Sequence, residues 1–264
     1  MTIASDYAGL WAWYKASSGG WTDQSGNGRD ATLPGGAANP TIAAAVANGH
    51  DAFQFLAANH QHVTLPSLAA LARGEMFAVV APQWDPTLTD ASSGSWTLGN
   101  GTATTGAFLP WTDSNIYEDF GSTVRKTVGD PALSLASDIR IVNIWSDAGN
   151  WGFSLDGTLL FSTSTNTVGW PATAWIGQSK NSDRWLDGRI AEWFLYSQLR
   201  SSSERTALIT ALQATYQGKY VPMTSIIASE LIQTSSAGGT GGTGGGPGGL
   251  GDTAGGAAWM YRKG

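Results

Sequence analysis

The sequence predicts an antiparallel two-sheet β-sandwich, all-β but for one helix and a Gly-rich tail. Three observations predict it. About twelve short apolar or alternating runs recur at roughly 8–15-residue spacing, bounded by Gly, Asn, Asp and Ser. One amphipathic helical pattern stands near the end of these runs, whereas a parallel α/β fold needs a helix after most strands. The chain is 42% hydrophobic and 11% aromatic with 13 Trp, which is ample for a core.

The elements follow in order. Leu10–Tyr14 reads as a first strand. Trp21 to Ala31 is a turn cluster, in which Asp23 and Asn27 close side-chain-to-backbone turns and Gly26 and Gly28 take positive φ. Asp23 has two readings, a calcium ligand or a structural turn. The turn is preferred, because one or two acidic side chains are few for a cation that takes about six to eight oxygens. Residues 35–48 are Ala-rich and read as irregular, and Asn48 to Phe55 as a turn and strand. His60 and His62 would share a strand face before Val63–Leu65; without a third ligand they read as surface imidazoles, so no metal site is assigned. Leu68 to Arg73 reads as a helical turn or two, and Glu75 to Trp84 as a strongly apolar strand. Ser95–Gly99, Ala107–Trp111 and Ile116–Phe120 are short strands, the last two a hairpin. Asp138 to Ser146 alternates, with Ile139, Ile141, Asn143 and Trp145 on one side. Asp156-Gly157, between Trp151–Leu155 and Thr158–Phe161, is a strong hairpin signal. Ala172–Gln178 leads into the last strand.

That strand, Arg189 to Tyr196, is apolar on both sides. Strict alternation puts Ile190, Phe194 and Tyr196 on one face and Ala191, Trp193 and Leu195 on the other. A strand of this kind belongs inside a sheet covered on both faces. Ser201 and Glu204 then form a capping box. Leu208, Leu212, Tyr216 and Tyr220 fall on one helical face, and Gly218 marks the helix stop.

Four short motifs, in this order, resemble the laminin-G-like modules of the concanavalin A-like lectin/glucanase superfamily. They are Trp21-x-Asp23-x-Ser25-Gly26-Asn27-Gly28, Asn48-Gly49-x-x-Ala52-Phe53-x-Phe55, Phe153-x-Leu155-Asp156-Gly157 and Gly188-Arg189-Ile190-Ala191-Glu192 running on to Tyr196. The resemblance implies a jelly-roll sandwich over residues 1–220. It also implies settings such as bacterial surface proteins and bacteriophage virions. Residues 221–234 read as a connector and 235–264 as a Gly-rich tail, too poor in apolar side chains to offset its chain entropy. The tail closes on Trp259, Met260, Tyr261 and Arg262, which read as an anchor for a partner's groove.

Composition narrows the function. The net charge is −6 with no basic block, which argues against nucleic acid. No apolar run approaches membrane-spanning length. There is no Cys, so no disulfide or thiolate site, and only 13% of residues are charged, about half the usual share. The first residues carry no secretory signal pattern, so synthesis in the host cytoplasm is expected. No catalytic motif stands out and no cofactor is implied. The paired-carboxylate strand of jelly-roll glycanases is missing. Glu118 and Asp119 are adjacent and face apart. Glu192 reads as a structural carboxylate paired with an Arg or with backbone amides. Binding remains, through loop aromatics with polar neighbours: Trp111, Asp113 and Tyr117; Asn150 and Trp151; Asp183, Trp185 and Asp187. The expectation is a non-enzymatic virion component (a capsid decoration, fibre or tail protein) that is homo-oligomeric, tied to other virion proteins by its tail and facing a cell-surface glycan. The alternative is a bacterial carbohydrate-binding lectin module outside any particle.

Overall fold

In the computed structural model the chain divides into two units, Met1–Pro222 and Met223–Gly264. The structure describes residues 4–18, 20–82, 94–101, 106–131 and 139–217, all in the first unit. The connector, the tail and its Trp259, Met260, Tyr261 and Arg262 lie outside the described residues, as do Gly218 and Tyr220.

Fourteen strands run through the described residues. The first five are β1 (Leu10–Lys15), β2 (Thr41–Ala47), β3 (His50–Phe55), β4 (Val63–Leu65) and β5 (Gly74–Pro82). Then come β6 (Gly94–Thr97), β7 (Ala107–Phe108), β8 (Ile116–Glu118), β9 (Lys126–Gly129) and β10 (Arg140–Asp147). The last are β11 (Asn150–Leu155), β12 (Thr158–Thr163), β13 (Ala174–Ile176) and β14 (Gly188–Tyr196), followed by helix α1 (Ser202–Tyr216). They form two antiparallel sheets. The larger has the order β12-β11-β10-β5-β14-β3-β2 with β1 also on β14; the smaller has the order β4-β13-β6-β7-β8-β9. The core lies between them, with Phe53, Met76, Val142 and Trp193 facing Val63, Trp96, Ile116 and Ile176. Among the described residues seven of the 13 Trp are buried.

The centre of the larger sheet is β5 beside β14, nine residues each and buried throughout. One edge of β14 pairs along its length with β5. On the other edge β3 meets Gly188–Ile190 and β1 meets Glu192–Tyr196, end to end. The strict alternation expected for β14 fails at one residue. Ile190 opposes Val80 and Glu192 opposes Val79, so Ala191 is a bulge. The extra residue reverses the parity. Ile190, Trp193 and Leu195 therefore face the core together, and Glu192, Phe194 and Tyr196 turn to the outer face.

Other expectations fare variously. Asp156 (φ 52) and Gly157 (φ 85) make the two-residue β11–β12 turn, whose positive φ at both positions suits a type I′ hairpin. Asp23 closes its turn by accepting from the amides of Trp13, Ser25 and Arg29 at 2.9 Å each. Burial alone would raise its carboxyl pKa; these bonds outweigh it and hold the pKa below the ordinary value. Residues 41–47, read as irregular, are strand β2, since pairing with β3 overrides the weak strand preference of alanine. Residues 68–73 make a turn closed by Leu71 N–H to Leu68 C=O, not a helix. Strand β9 carries too short an apolar signal to be read alone and forms through its pairing with β8. His60 and His62 do not share a strand: His60 is left-handed (φ 54), and its ring stacks on Trp185 at 3.9 Å.

Helix α1 lies on the outer face of the larger sheet. Its start is the expected capping box, Ser201 Oγ accepting from Glu204 N–H and Glu204 Oε2 from Ser201 N–H. Leu208, Ile209, Leu212 and Tyr216 are buried beneath it, each apolar side chain contributing about 1.5–3 kcal/mol on burial. Two buried carboxylates fasten it. Glu192 accepts from Trp13 Nε1 (2.7 Å) and Tyr216 OH (2.6 Å), an indole and a phenol in place of the expected Arg or backbone partners. Glu75 accepts from Arg205 Nε (2.6 Å), Arg205 Nη2 (3.0 Å), Asn143 Nδ2 (2.9 Å) and the amide of Arg200 (2.7 Å).

Candidate ligand pocket

The outer face of the smaller sheet carries a pocket of about 390 Å³. Alternation builds its floor. In β7 and β8, Ala107 and Ile116 point into the core, so Phe108 and Tyr117 point out. They are direct partners across the β7–β8 ladder. The connecting loop brings Trp111, held by Trp111 N–H to Asn115 C=O (2.9 Å) and Ser114 N–H to Trp111 C=O (2.9 Å). The Trp111 ring tilts against Phe108 at 4.7 Å. Arg125, just before β9, places its guanidinium 4.6 Å from the Tyr117 ring centre and 5.6 Å from that of Phe108.

The opposite wall is the loop between β13 and β14, which supplies Ser179, Asn181, Asp183 and Arg184. It is a self-bonded hairpin. Ser179 N–H donates to Arg184 C=O (2.9 Å), and Ser179 Oγ donates to Asp183 Oδ1 (2.7 Å). Gly94 of β6 lets this loop lie close, since a Cβ there would stand 2.8 Å from the Arg184 carbonyl. The Arg184 guanidinium pairs with Asp183 at 3.0 Å and sits 5.3 Å from the Trp111 ring centre. Asp113 accepts from Tyr117 OH at 2.7 Å. Slight burial pushes the Asp113 pKa up, but the bonds from Tyr117 and Asn115 outweigh it and lower it overall. The same bond raises the Tyr117 pKa, with smaller contributions from burial and the Asp113 charge.

Of the eight binding residues read from the sequence, Trp111, Tyr117 and Asp183 meet in this pocket, and Asp113 buttresses it. The others do not join them. Trp151 is fully buried in the core, donating from Nε1 to Phe120 C=O at 2.9 Å, because β11 alternation turns it inward. Asn150 accepts from Trp145 Nε1 at 3.0 Å on the larger sheet. Trp185 is half-buried under His60. Burial raises the Asp187 carboxyl pKa, against the opposing amide bond from Ala57. Sequence reading missed Phe108, Arg125, Ser179 and Asn181. The pairing of 108 with 117 was open to a hairpin register argument; Arg125 depended on the unread strand β9.

The remaining acidic residues serve elsewhere. Glu118 is fully buried and accepts from Trp96 Nε1 (2.8 Å) and the amides of Asp119 and Phe120 (2.9 Å each). Burial, with the Asp119 charge adding to it, pushes its pKa up to about 8. Among the described residues no group of three or more His, Cys, Asp or Glu could hold a metal ion.

No family model matches the sequence, and no curated protein matches it. Solved structures do. The receptor-binding domain of botulinum neurotoxin mosaic serotype C/D aligns at TM-score 0.58 and 13% identity, covering 77% of this chain and 51% of that one. Trypanosoma rangeli sialidase in complex with sialic acid aligns at TM-score 0.54 and 18% identity, over 78% of this chain and 33% of that one. Domain 4 of AbnA, a GH43 extracellular arabinanase from Geobacillus stearothermophilus, in complex with arabinotriose, aligns at TM-score 0.54 and 19% identity, over 76% and 98%. The chain thus spans about half the length of the toxin domain, a third of the sialidase and nearly all of the arabinanase domain. At these identities the likeness shows the fold alone: an antiparallel two-sheet β-sandwich.

Proposed function

We propose that the protein is a non-enzymatic glycan-binding module whose ligand sits on the outer face of the smaller sheet. One observation carries the reading: Phe108, Trp111 and Tyr117 converge with Ser179, Asn181 and Asp183 around one concave site. Saccharides present both C–H faces and hydroxyls, and an aromatic wall opposite fixed hydrogen-bonding groups complements both. Two of the structural neighbours are complexes with a sugar, sialic acid in one and arabinotriose in the other, which supports the class of ligand. Among the described residues the one carboxylate lining the pocket, Asp183, is paired with Arg184, whereas glycoside hydrolysis uses two carboxyl groups flanking the bond. The test is a glycan array probed with the full chain, followed by calorimetry on each hit. A blank array removes the reading, and turnover of a bound glycan replaces it with an enzymatic one.

We also propose that the module works on a bacteriophage virion. Support comes from the sequence: few charges, a Gly-rich segment, and Trp259, Met260, Tyr261 and Arg262 at its end as a grip for a partner. Density-gradient fractionation of lysate from the producing culture tests this. Co-banding with DNA-containing particles is expected; recovery only from the soluble pool leaves the bacterial lectin alternative.

A further inference from the structure

We propose that Lys126 and Asn166 condense into an amide, Lys126 Nζ bonded to Asn166 Cγ, which ties the edge of the smaller sheet to the edge of the larger. Strand β9, which holds Lys126, is the outermost strand of the smaller sheet. Asn166 follows β12, the outermost strand of the larger. The chain has no Cys, so a covalent tie between these edges needs other chemistry. Backbone bonds already hold the two arms in place. Thr123 N–H donates to Thr167 C=O (3.0 Å), and Gly149 N–H donates to Asn166 C=O (3.0 Å).

The pair is shut off from water. Lys126 and Asn166 are 9% and 8% exposed, and Asp119, Ser122 and Ser146 beside them are fully buried. Lysine ordinarily keeps its head group in water. Here Nζ lies 5.6 Å from the Trp151 ring centre. Among the described residues it meets three neutral oxygens: Ser122 Oγ (2.8 Å), Val124 C=O (2.8 Å) and Asn166 Oδ1 (3.3 Å). Burial lowers the Lys126 pKa, with the Asp119 charge opposing it, which favours the neutral amine that can attack a carbonyl. A neutral amine has two N–H donors and one lone pair. The two short contacts take the donors, and the long one leaves the lone pair for the Asn166 carboxamide. That carboxamide has a fixed orientation. Asn166 Nδ2 donates to Ser146 Oγ (3.0 Å) and Asp147 C=O (2.9 Å), and because a carbonyl only accepts, the carbonyl end must face Lys126. Its carbon therefore stands within about 4.5 Å of Nζ. A side-chain rotation brings the two to the roughly 3–3.5 Å of a near-attack pair.

The step balances without a co-reactant. The ammonium gives one proton to Asp119, and the neutral Nζ attacks Cγ. The Nζ–Cγ bond forms and the Cγ–Nδ2 bond breaks. Nδ2 takes a second proton from Nζ and leaves as ammonia, which recovers the proton held by Asp119.

Mass spectrometry of the full chain under denaturing conditions tests the proposal. The chain is expected to be lighter than its sequence requires by one ammonia, and proteolysis to yield a branched peptide joining residues 126 and 166. Lys126→Arg and Asn166→Ala should each abolish the loss and the branched peptide. Asn166→Asp should form the same link with loss of one water instead. Recovery of residues 126 and 166 on separate, unmodified peptides from the native chain overturns the proposal. So does a loss of ammonia that maps to an Asn-Gly pair such as Asn27-Gly28, where the backbone itself can cyclise. The native chain alone decides between these outcomes, so the result does not depend on whether a variant folds.

Discussion

On the outer face of the larger sheet, polar side chains end in protein partners. Glu75 reaches Arg205, Arg200 and Asn143, and Glu192 reaches Tyr216 and Trp13, all beneath or beside helix α1. On the outer face of the smaller sheet, the outward residues of β7 and β8 meet two loops around a cavity. The arginines differ likewise. Arg205 stands 4.2 Å from the ring centre of Trp145 while donating twice to a buried carboxylate, so its chemistry is spent on holding the helix. Arg125 and Arg184 also stand over aromatic rings on a pocket wall, and Arg205 and Trp145 themselves line a cavity of about 550 Å³ beside α1. The same residue pair, arginine on aromatic, fastens a helix on one face and lines a loop-walled cavity on the other.

That contrast can be broken by experiment. Glu75→Ala should have the largest effect. It removes the acceptor of four donors at a buried site, and stripping one partner from such a network costs about 3–5 kcal/mol. Urea unfolding should show this loss while ligand affinity per folded molecule stays unchanged. Reduced affinity in the folded fraction would mean that the two faces are coupled.

A second experiment probes the interior of the smaller sheet. Glu118 has its pKa raised to about 8 by burial first and the Asp119 charge second. A folded pKa above the unfolded value means that protonation favours the fold. The contribution is fully present below about 4.5, the ordinary value, and is lost as pH rises through about 8. Urea midpoints at about pH 5, 7 and 9 should therefore fall with rising pH, and Glu118→Gln should flatten the decline. A slope unchanged in Glu118→Gln would assign it to another group. The smallest stability effect belongs to Trp111→Ala. Half-buried on the pocket wall, it should shift unfolding by about 0.5 kcal/mol or less, while ligand affinity falls at least about tenfold. A large loss of stability would make Trp111 structural and count against the contrast.

Much of the fold was legible because local signals agreed with tertiary ones. Asp156-Gly157 requires a primed turn wherever it falls between strands, and Ser201 with Glu204 marks a helix start whatever follows. Misreadings arose where one residue changed the phase or where pairing overrode composition. Ala191 inverted the faces of β14 with no unusual residue type to announce it. The alanine run of β2 announces no strand either; residues 41–47 form one only because β3 lies alongside. The site was half legible. Trp111, Tyr117 and Asp183 were visible as loop aromatics with a polar neighbour, but Trp151 looked the same and lies at 0% exposure. Distinguishing them needs the register of each strand, which depends on residues far away in the chain.

The placement of β14 also orders events in time. The bond from Trp13 to Glu192 spans 179 residues. During synthesis at about 5–20 residues per second, β1 waits on the order of ten seconds for its neighbour. Until then β1 and β3 expose unpaired edges, and β5 lacks one of its two flanking strands. Such far-separated pairings make folding slow and keep early chains prone to association. The nascent chain acquires its central strand almost last, so chaperone holding during translation should set the yield of this protein more than the final stability of its sheets.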